Sequence, residues 1–314
     1  MSAILEAKKL VKKFGDLTAV DDVSFEIQEG EIFSLLGPNG AGKTTTISML
    51  STLLAPTSGD AQINGFSILK DNLQVRKHIG IVPQEIALYD ELTAIENLEY
   101  WGKLYDLGGA ELIERIKEVL AVIGLADRAK DRIKTYSGGM KRRINITAGL
   151  LHKPKLLFMD EPTVGIDPQS RRMILDMVKD LNQDGMSILY TTHYMEEAQE
   201  LSDRVAIMDK GKLIAVGTQE ELTQQVGETD SIYIKTDPTD DLPAIAAKMQ
   251  GSGEISQVIV ETDGLTLITK SAERNLAPII TQAGQAGARI KSIEVVEPNL
   301  ETVFLNLTGR ALRD

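Results

Sequence analysis

Gly37-Pro38-Asn39-Gly40-Ala41-Gly42-Lys43-Thr44 is the stretch on which the reading of this chain turns. It fits the phosphate-binding loop G-x-x-x-x-G-K-[ST] at every fixed position. The apolar run before it, Glu31-Ile32-Phe33-Ser34-Leu35-Leu36, reads as a buried parallel strand. The run after it, Thr45-Thr46-Ile47-Ser48-Met49-Leu50, reads as the opening of a helix. Strand, glycine loop and helix are the context the motif requires. Glycines let backbone N–H groups crowd around phosphate oxygens. The helix N-terminus adds partial positive charge. Lys43 is expected to reach the β- and γ-phosphates, and the Thr44 hydroxyl to hold Mg²⁺. Gly37, Pro38, Asn39, Gly40, Ala41, Gly42, Lys43, Thr44 and Thr45 together form the expected nucleotide cradle.

Upstream, Leu5 to Phe14 and Val23 to Ile27 read as strands. Downstream, Pro56-Thr57-Ser58-Gly59 is a turn, Asp60 to Ile63 a strand, and Asn64-Gly65 a hairpin signal. Ile79 to Pro83 is a short buried strand. From Thr93 to about Leu151 the period becomes helical, with Leu112, Ile116, Val119, Leu120 and Ile123 on one face. Strand character returns at Leu156–Met159, Ser187–Thr191 and Arg204–Met208, with an amphipathic segment at Ser170–Asn182. The pattern is a helical block, about 86–152, inserted into a sheet domain that spans 1–216.

Two acids end a strand in Leu156-Leu157-Phe158-Met159-Asp160-Glu161. A buried parallel strand ending beside the phosphate loop puts Asp160 where it can hold Mg²⁺. Glu161 then points at the γ-phosphate and can orient or deprotonate water, an effect worth ~10²–10⁴ in rate. Farther back, Tyr136-Ser137-Gly138-Gly139-Met140 places a good N-cap and two glycines at a helix start. That is a second anion cradle. One ATP does not need two separated cradles in one subunit, so the second is expected to serve the ATP of another copy.

With these motifs in this order, the chain from Leu5 to about Val216 resembles the ATPase subunits of ABC transporters. The resemblance implies that Phe14 stacks on adenine, where tyrosine is more usual. It makes Gln84 the glutamine that touches Mg²⁺ or water and senses a membrane partner. Ser137, Gly138 and Gly139 correspond to the signature motif, here with Tyr136 and Met140 in place of leucine and glutamine. Asp160 and Glu161 correspond to the metal aspartate and catalytic glutamate. Asp167 matches the aspartate that crosses a dimer interface, and His193 the switch histidine on the γ-phosphate. Implied with these are ATP and Mg²⁺, a head-to-tail homodimer, and a separate polytopic permease. No nucleic-acid partner is expected.

The remaining histidines, His78 and His152, fit no motif and read as structural or surface residues. Trp101 reads either as core packing or as a contact with the permease. From Arg128 to Lys155 nine basic residues face one acid, Asp131. They read either as a solvated helical face or as a surface toward phosphates or anionic lipid.

Beyond Gly217 the composition shifts. Gln219–Glu228 reads as helix and linker, with the linker region placed at 217–230. From 231 to 314 the order is strand Ser231–Lys235, helix Leu242–Gln250, strand Gln257–Thr262, turn Asp263-Gly264, strand Leu265–Lys270, helix Ala272–Gln285, strand Ala288–Val296 and helix Leu300–Leu307. That βαββαβ order suggests a ferredoxin-like accessory or regulatory domain. Residues 217–314 carry 15 acids and 8 bases, a balance of −7. The ending Glu297-Pro298-Asn299-Leu300-Glu301-Thr302-Val303-Phe304-Leu305-Asn306-Leu307-Thr308-Gly309-Arg310 looks like that of the ABC-2 export class, which includes daunorubicin-resistance-type pumps. Its stripe of Leu300, Val303, Phe304 and Leu307 reads either as packing on its own sheet or as a dimerisation surface.

The fold expected is thus α/β: a P-loop NTPase of ABC type with an inserted helical subdomain, plus a C-terminal α+β ferredoxin-like domain. Composition agrees. The chain has 314 residues, no cysteine, a net charge of −12 and a pI of about 4.9. The acidity argues against nonspecific DNA binding, and the lack of cysteine points to a reducing compartment. No secretory leader is read at the start, where Glu6, Lys8 and Lys9 interrupt any apolar run. No apolar run nears the roughly 20 residues a bilayer requires. The expected location is the cytoplasmic side of the cell membrane, through the permease. The alternative class is a soluble ABC-type ATPase acting on nucleic acid or in translation. A non-hydrolysing ATP-binding regulatory module is a third reading.

Overall fold

The computed structural model describes residues 2–226, 230–251, 255–270, 272–296 and 299–308. The end of the expected linker (227–229) and Glu297, Pro298, Gly309 and Arg310 of the expected C-terminal motif lie outside them. The chain divides into two compact units, 1–216 and 217–313.

In the first unit, β1 (Ala3–Phe14) and β2 (Leu17–Gln28) form an antiparallel pair; β3 (Ile32–Leu36) leads into α1 (Lys43–Leu50). Next come β4 (Ser58–Ile63), β5 (Phe66–Ser67), α2 (Asn72–His78) and β6 (Ile79–Val82). The helical block holds α3 (Ala94–Leu104), α4 (Gly109–Val122) and α5 (Gly138–Leu150). Then follow β7 (Leu156–Asp160), α6 (Pro168–Gln183), β8 (Ser187–Thr192), α7 (Met195–Leu201), β9 (Arg204–Asp209) and β10 (Lys212–Gly217). A six-stranded sheet runs β10-β9-β3-β8-β7-β6, and a four-stranded antiparallel sheet runs β2-β1-β4-β5. The pairs β3–β8, β3–β9, β7–β8 and β6–β7 are parallel.

Side chains alternate across a strand, and that alternation builds two cores. Ile32, Leu157, Met159, Ile188 and Tyr190 face the helical block and α6. Phe33, Leu35, Leu156, Phe158 and Leu189 face the antiparallel sheet and α1. All five residues of β3 and of β7 are buried, as an apolar run without alternation requires. The parallel register brings the carboxyl ends of β3, β8 and β7 side by side. This is the edge where open α/β sheets bind ligands.

The helical period at Thr93 is set by a capping box. Thr93 accepts from the Glu96 amide, and Glu96 accepts from the Thr93 amide at 2.7 Å. A 3₁₀ turn at Ile133–Thr135 interrupts the helices expected through Leu151. The first turn of α5 then starts at its N-cap, Ser137.

In the second unit, α8 (Gln219–Val226) precedes β11 (Asp230–Thr236), α9 (Leu242–Met249), β12 (Ile255–Val260), β13 (Gly264–Thr269), α10 (Ala272–Ala286), β14 (Ile290–Val296) and α11 (Leu300–Thr308). The sheet order β12-β13-β11-β14, antiparallel throughout, is that of a ferredoxin-like domain. Ile232, Ile234, Leu265 and Leu267 face α9 and α10. On the opposite face Ile259 and Ile268 meet Leu305 of α11. The expected stripe on α11 differs in one member: Leu300, Val303 and Phe304 are buried, but Leu305, two residues earlier, is buried in place of Leu307. The apolar sequence around Leu305 offers a helix two neighbouring stripes, and only the packed partner decides between them. The strand expected at Gln257–Thr262 starts two residues earlier, at Ile255. Among the described residues no helix is long and apolar enough to cross a membrane.

Candidate active site

The phosphate loop leaves β3 at Gly37. Glycine is required there for space: a Cβ on Gly37 would lie 2.2 Å from the Met208 carbonyl oxygen. Gly42, the N-cap of α1, combines a φ of 107° with a Cβ position 2.6 Å from the Ala19 carbonyl oxygen. Neither position admits a side chain without moving backbone. Lys43 opens α1 but turns back over the loop. Its Nζ donates to the carbonyls of Gly37 (2.6 Å) and Pro38 (3.0 Å) and pairs with Glu161 Oε1 at 2.9 Å.

Glu161 follows β7 with a φ of 44°, a left-handed conformation uncommon for a side-chain-bearing residue. Strain of this kind is held by its surroundings. Here the Glu161 amide donates to Thr191 Oγ1 at 3.0 Å, and both carboxylate oxygens are engaged. The second oxygen lies 3.1 Å from His193 Nδ1. Lys43, Glu161 and His193 thus form one buried chain across three adjacent strand ends. A carboxylate held between a cation and an imidazole can orient and deprotonate a water. The ammonium offers positive charge to phosphate oxygens.

Asp160 sits beside this chain and is almost wholly buried. Burial raises its pKa above the usual carboxylate value, opposed by hydrogen bonds from Thr191 and Thr44. The Thr191 hydroxyl donates to Asp160 Oδ1 at 2.7 Å. A buried carboxylate next to a threonine hydroxyl is a hard-oxygen pair of the kind that suits Mg²⁺. Among the described residues no group of three or more His, Cys, Asp or Glu has a metal-holding arrangement. Mg²⁺ fits that limit, because it is commonly held by one carboxylate with the rest of its shell from phosphate and water.

The other expected residues lie outside this chain. Ser137 caps α5 by accepting from the Met140 amide at 3.3 Å. Ser137 and Gly138 are exposed, and only Ile166 comes within 4 Å of a Cβ placed on Gly138. Gly139 is different. It is buried, and a Cβ there would meet Ser170 Oγ at 2.1 Å, so it serves the packing of α5 on α6. Asp167 is the N-cap of α6, accepting from the Ser170 amide at 2.9 Å, and that bond lowers its pKa. Phe14 is about half exposed at the end of β1, with the Lys12 ammonium 5.2 Å from its ring centre. Gln84 is exposed just beyond β6, and its carbonyl accepts from Arg142. Among the described residues no hydrogen bond or ion pair joins Phe14, Gln84, Asp167 or Ser137–Gly139 to Lys43 or Glu161.

Several residues of the basic stretch have partners within the chain. Arg128 bonds Asp131, Lys134 bonds Glu91 at 2.8 Å, and Lys141 bonds Asp90 at 2.6 Å. Arg142 reaches the Pro83 carbonyl at 2.8 Å and Arg143 the Ile123 carbonyl at 2.7 Å. These partners support the solvated and structural reading over the lipid-facing one. His152 bonds the Ile79 carbonyl at 2.8 Å and stacks on Tyr105, while His78 bonds the Gln74 carbonyl at 2.8 Å. Trp101 packs against the helical-block core and donates to the Ala87 carbonyl at 3.1 Å. Sequence reasoning missed Thr191, Thr163 and Glu197. Thr191 had a visible signal, since it lies two residues before His193. Glu197 sits among acids on a helix, and only the packed structure shows that it is buried.

The sequence model of the ABC transporter family matches residues 20–164. Over 313 residues the chain is 48% identical to the linearmycin resistance ATP-binding protein LnrL of Bacillus subtilis, covering 99% of this chain and 100% of that protein. It is 37% identical to the daunorubicin resistance ATP-binding protein DrrA3 of Streptomyces coeruleorubidus, covering 95% of this chain and 93% of that one. Among solved structures, a dimeric ATP-binding cassette in a post-hydrolysis state, bound to ADP and Pi, superposes with a TM-score of 0.62 at 28% identity, covering 68% of this chain and 98% of that one. The phosphate loop, the strand-end carboxylates and full-length relatives agree: the chain belongs to the ATP-binding proteins of ABC transporters and is an ATPase.

Proposed function

We propose that the chain is the ATP-hydrolysing subunit of an exporter, working as a head-to-tail homodimer beneath a separate polytopic permease. The observation that carries this reading is the division of the anion sites. Lys43, Glu161 and His193 form a connected centre, while Ser137 and Gly138 present an exposed helix start outside it. In a head-to-tail pair each ATP lies between Lys43 and Thr44 of one copy and Ser137, Gly138 and Gly139 of the other, with Phe14 against the adenine. Asp167 stands at the interface. Thr44, Asp160 and Gln84 would hold Mg²⁺, which supplies charge neutralisation for the transferring phosphoryl group. Glu161 orients and deprotonates the attacking water. His193 holds the geometry of Glu161 and faces the γ-phosphate. Two bound ATP close the pair; the phosphates left after hydrolysis repel and reopen it.

Export is supported by the relatives named for linearmycin and daunorubicin resistance, which span nearly the whole chain. With the ATPase joined to a permease, the location is the cytoplasmic face of the membrane, and the C-terminal unit is an accessory or regulatory domain. The test uses Glu161→Gln protein, with ATP and Mg²⁺ present, recovered from solubilised host membranes. Recovery of one polytopic membrane protein, together with an ATP-dependent dimer in solution, is the expected outcome. A Glu161→Gln protein that stays monomeric with ATP, even alongside the permease, overturns the paired-site reading. Recovery of nucleic acid or a soluble partner instead favours the permease-free ATPase.

A further inference from the structure

Glu197 is a buried carboxylate to which the reaction above gives no role, and it is 2% exposed. Its surroundings come from three segments. Oε1 accepts from the Thr163 hydroxyl at 2.6 Å. Thr163 lies between Glu161 and Asp167. Oε2 accepts from the Tyr190 hydroxyl and the Thr192 hydroxyl, both at 2.9 Å. Thr192 immediately precedes His193, and its oxygen also accepts the Tyr194 amide at 2.9 Å. Arg171 of α6 comes third. Its Nε lies 3.6 Å from Glu197 Oε1, and its guanidinium covers the Tyr194 ring at 4.2 Å. That Nε is buried and has no hydrogen-bond partner among the described residues. The Tyr194 ring in turn lies 4.2 Å from that of His193.

One carboxylate therefore ties together the segment that ends at Asp167, the strand end that carries His193, and the helix that Asp167 caps. The Arg171 amide bonds the Asp167 carbonyl at 2.9 Å, so the third tie also leads back to Asp167. Buried acceptors of this kind hold their donors in one arrangement, because a donor released from them has no water to replace the bond. Burial and the neighbouring Glu197 charge hold the Tyr190 phenol well above its ordinary pKa, so it stays a donor.

From this geometry we infer that Glu197 is a positioning residue that makes the placement of Asp167 and the placement of His193 a single event. Contact of Asp167 with a second copy is then transmitted through Thr163 and Glu197 to the His193–Glu161 pair. The inference rests on the paired-site reading above. Glu197 does not touch the phosphate loop in any hydrogen bond or ion pair among the described residues, so it acts on turnover and leaves ATP capture alone.

The test is phosphate release by the full chain with its permease, with kcat and KM for ATP measured separately. Thr163→Val removes one hydroxyl, keeps the shape and adds no charge. It is expected to lower kcat about tenfold with KM within twofold, and Thr163→Ser is expected to restore kcat. Asp167→Ala lowers kcat in the wild-type background. In the Thr163→Val background it is expected to lower it by less than twofold more, because the path it acts through is already cut. Additive effects of the two substitutions, or a Thr163→Val kcat within twofold of wild type, overturn the inference. ATP-dependent dimerisation of Glu161→Gln alongside the permease, measured in parallel, reports on the underlying paired-site reading separately. If Glu161→Gln stays monomeric with ATP even alongside the permease, that reading fails and this inference fails with it.

Discussion

The two proposed anion sites of the first unit are built on opposite plans. At the phosphate loop the protein meets nearly all its own needs. Lys43 is 4% exposed and finds two carbonyls and a carboxylate, Glu161 is bonded at its amide and both oxygens, and Asp160 is held by Thr191. At Ser137–Gly138 the helix start faces solvent, and among the described residues its one side-chain bond is the cap by Ser137. A helix start offers amides and a partial positive charge without needing a buried lysine. The first site can hold its shape in one copy; the second is suited to an anion that arrives on another surface. Substitutions should therefore separate into those that damage chemistry, those that damage only the contribution across a pair, and those that damage packing.

The largest effect is expected at the connected centre. Glu161→Gln removes the charge between Lys43 and His193 and should lower phosphate release by ~10²–10⁴, the span of general-base catalysis. ATP binding, followed by equilibrium dialysis, should persist. If phosphate release falls less than tenfold, Glu161 is not the base, and the contrast between the two sites loses its chemical half.

The signature glycines sharpen the same comparison, because neighbours should fail for different reasons. Gly138→Asp adds a carboxylate to an exposed, open position. Thermal stability should change little, and ATP binding to a single copy should survive. Steady-state hydrolysis should fall at least tenfold, since a carboxylate now occupies the place of an anion. Gly139→Ala puts a methyl 2.1 Å from Ser170 Oγ. It should cost about 1–3 kcal/mol of stability, as overpacking does, read in a denaturant melt. Equal melting losses for both variants would show that the two glycines share one role.

How much of this was legible in the residues follows from range. The phosphate loop is a local motif: strand, turn and helix lie within Ile32–Leu50, and each part follows from neighbours in sequence. Asp160, Glu161 and His193 were legible because each ends a short apolar strand, and parallel strands of one sheet share an edge. The antiparallel order of the second unit followed from alternating elements in the same way. What was not legible depends on long-range packing. Nothing near Gly139 reveals Ser170, thirty-one residues on, so the contact that demands a glycine there was invisible in the sequence. On α11, Leu305 rather than Leu307 is buried because Ile259 and Ile268 lie beneath it, which the helix's own periodicity does not record. The two readings of the basic residues between Arg128 and Lys155, solvated face or surface toward phosphates or lipid, could not be separated in sequence, because their partners Glu91, Asp90 and the Pro83 and Ile123 carbonyls lie far along the chain.

A smaller effect, of opposite sign for stability and function, is expected at Asp160. Its pKa is raised by burial, so the folded protein binds this proton more tightly than the unfolded chain does. The sign follows from linkage. Below the unfolded value of 3.8 the carboxyl is neutral in both states and carries no penalty. As pH rises through the folded pKa, the ionised form is favoured in the unfolded chain first, and stability is lost. At neutral pH an ionised Asp160 therefore burdens the protein unless a cation lies against it. Asp160→Asn keeps the shape and an oxygen for Thr191 but not the charge. It should raise stability by about 0.5–2 kcal/mol at pH 7, in the range of stabilising single substitutions. The gain should shrink toward zero as pH falls to 4 and below. Added ATP with Mg²⁺ should raise the melting temperature of the wild type and leave that of Asp160→Asn nearly unchanged. A variant less stable than wild type at pH 7 would mean that Lys43, Thr44 and Thr191 already balance the Asp160 charge. The connected centre would then be complete without a metal, and the contrast with the exposed helix start would be wider still.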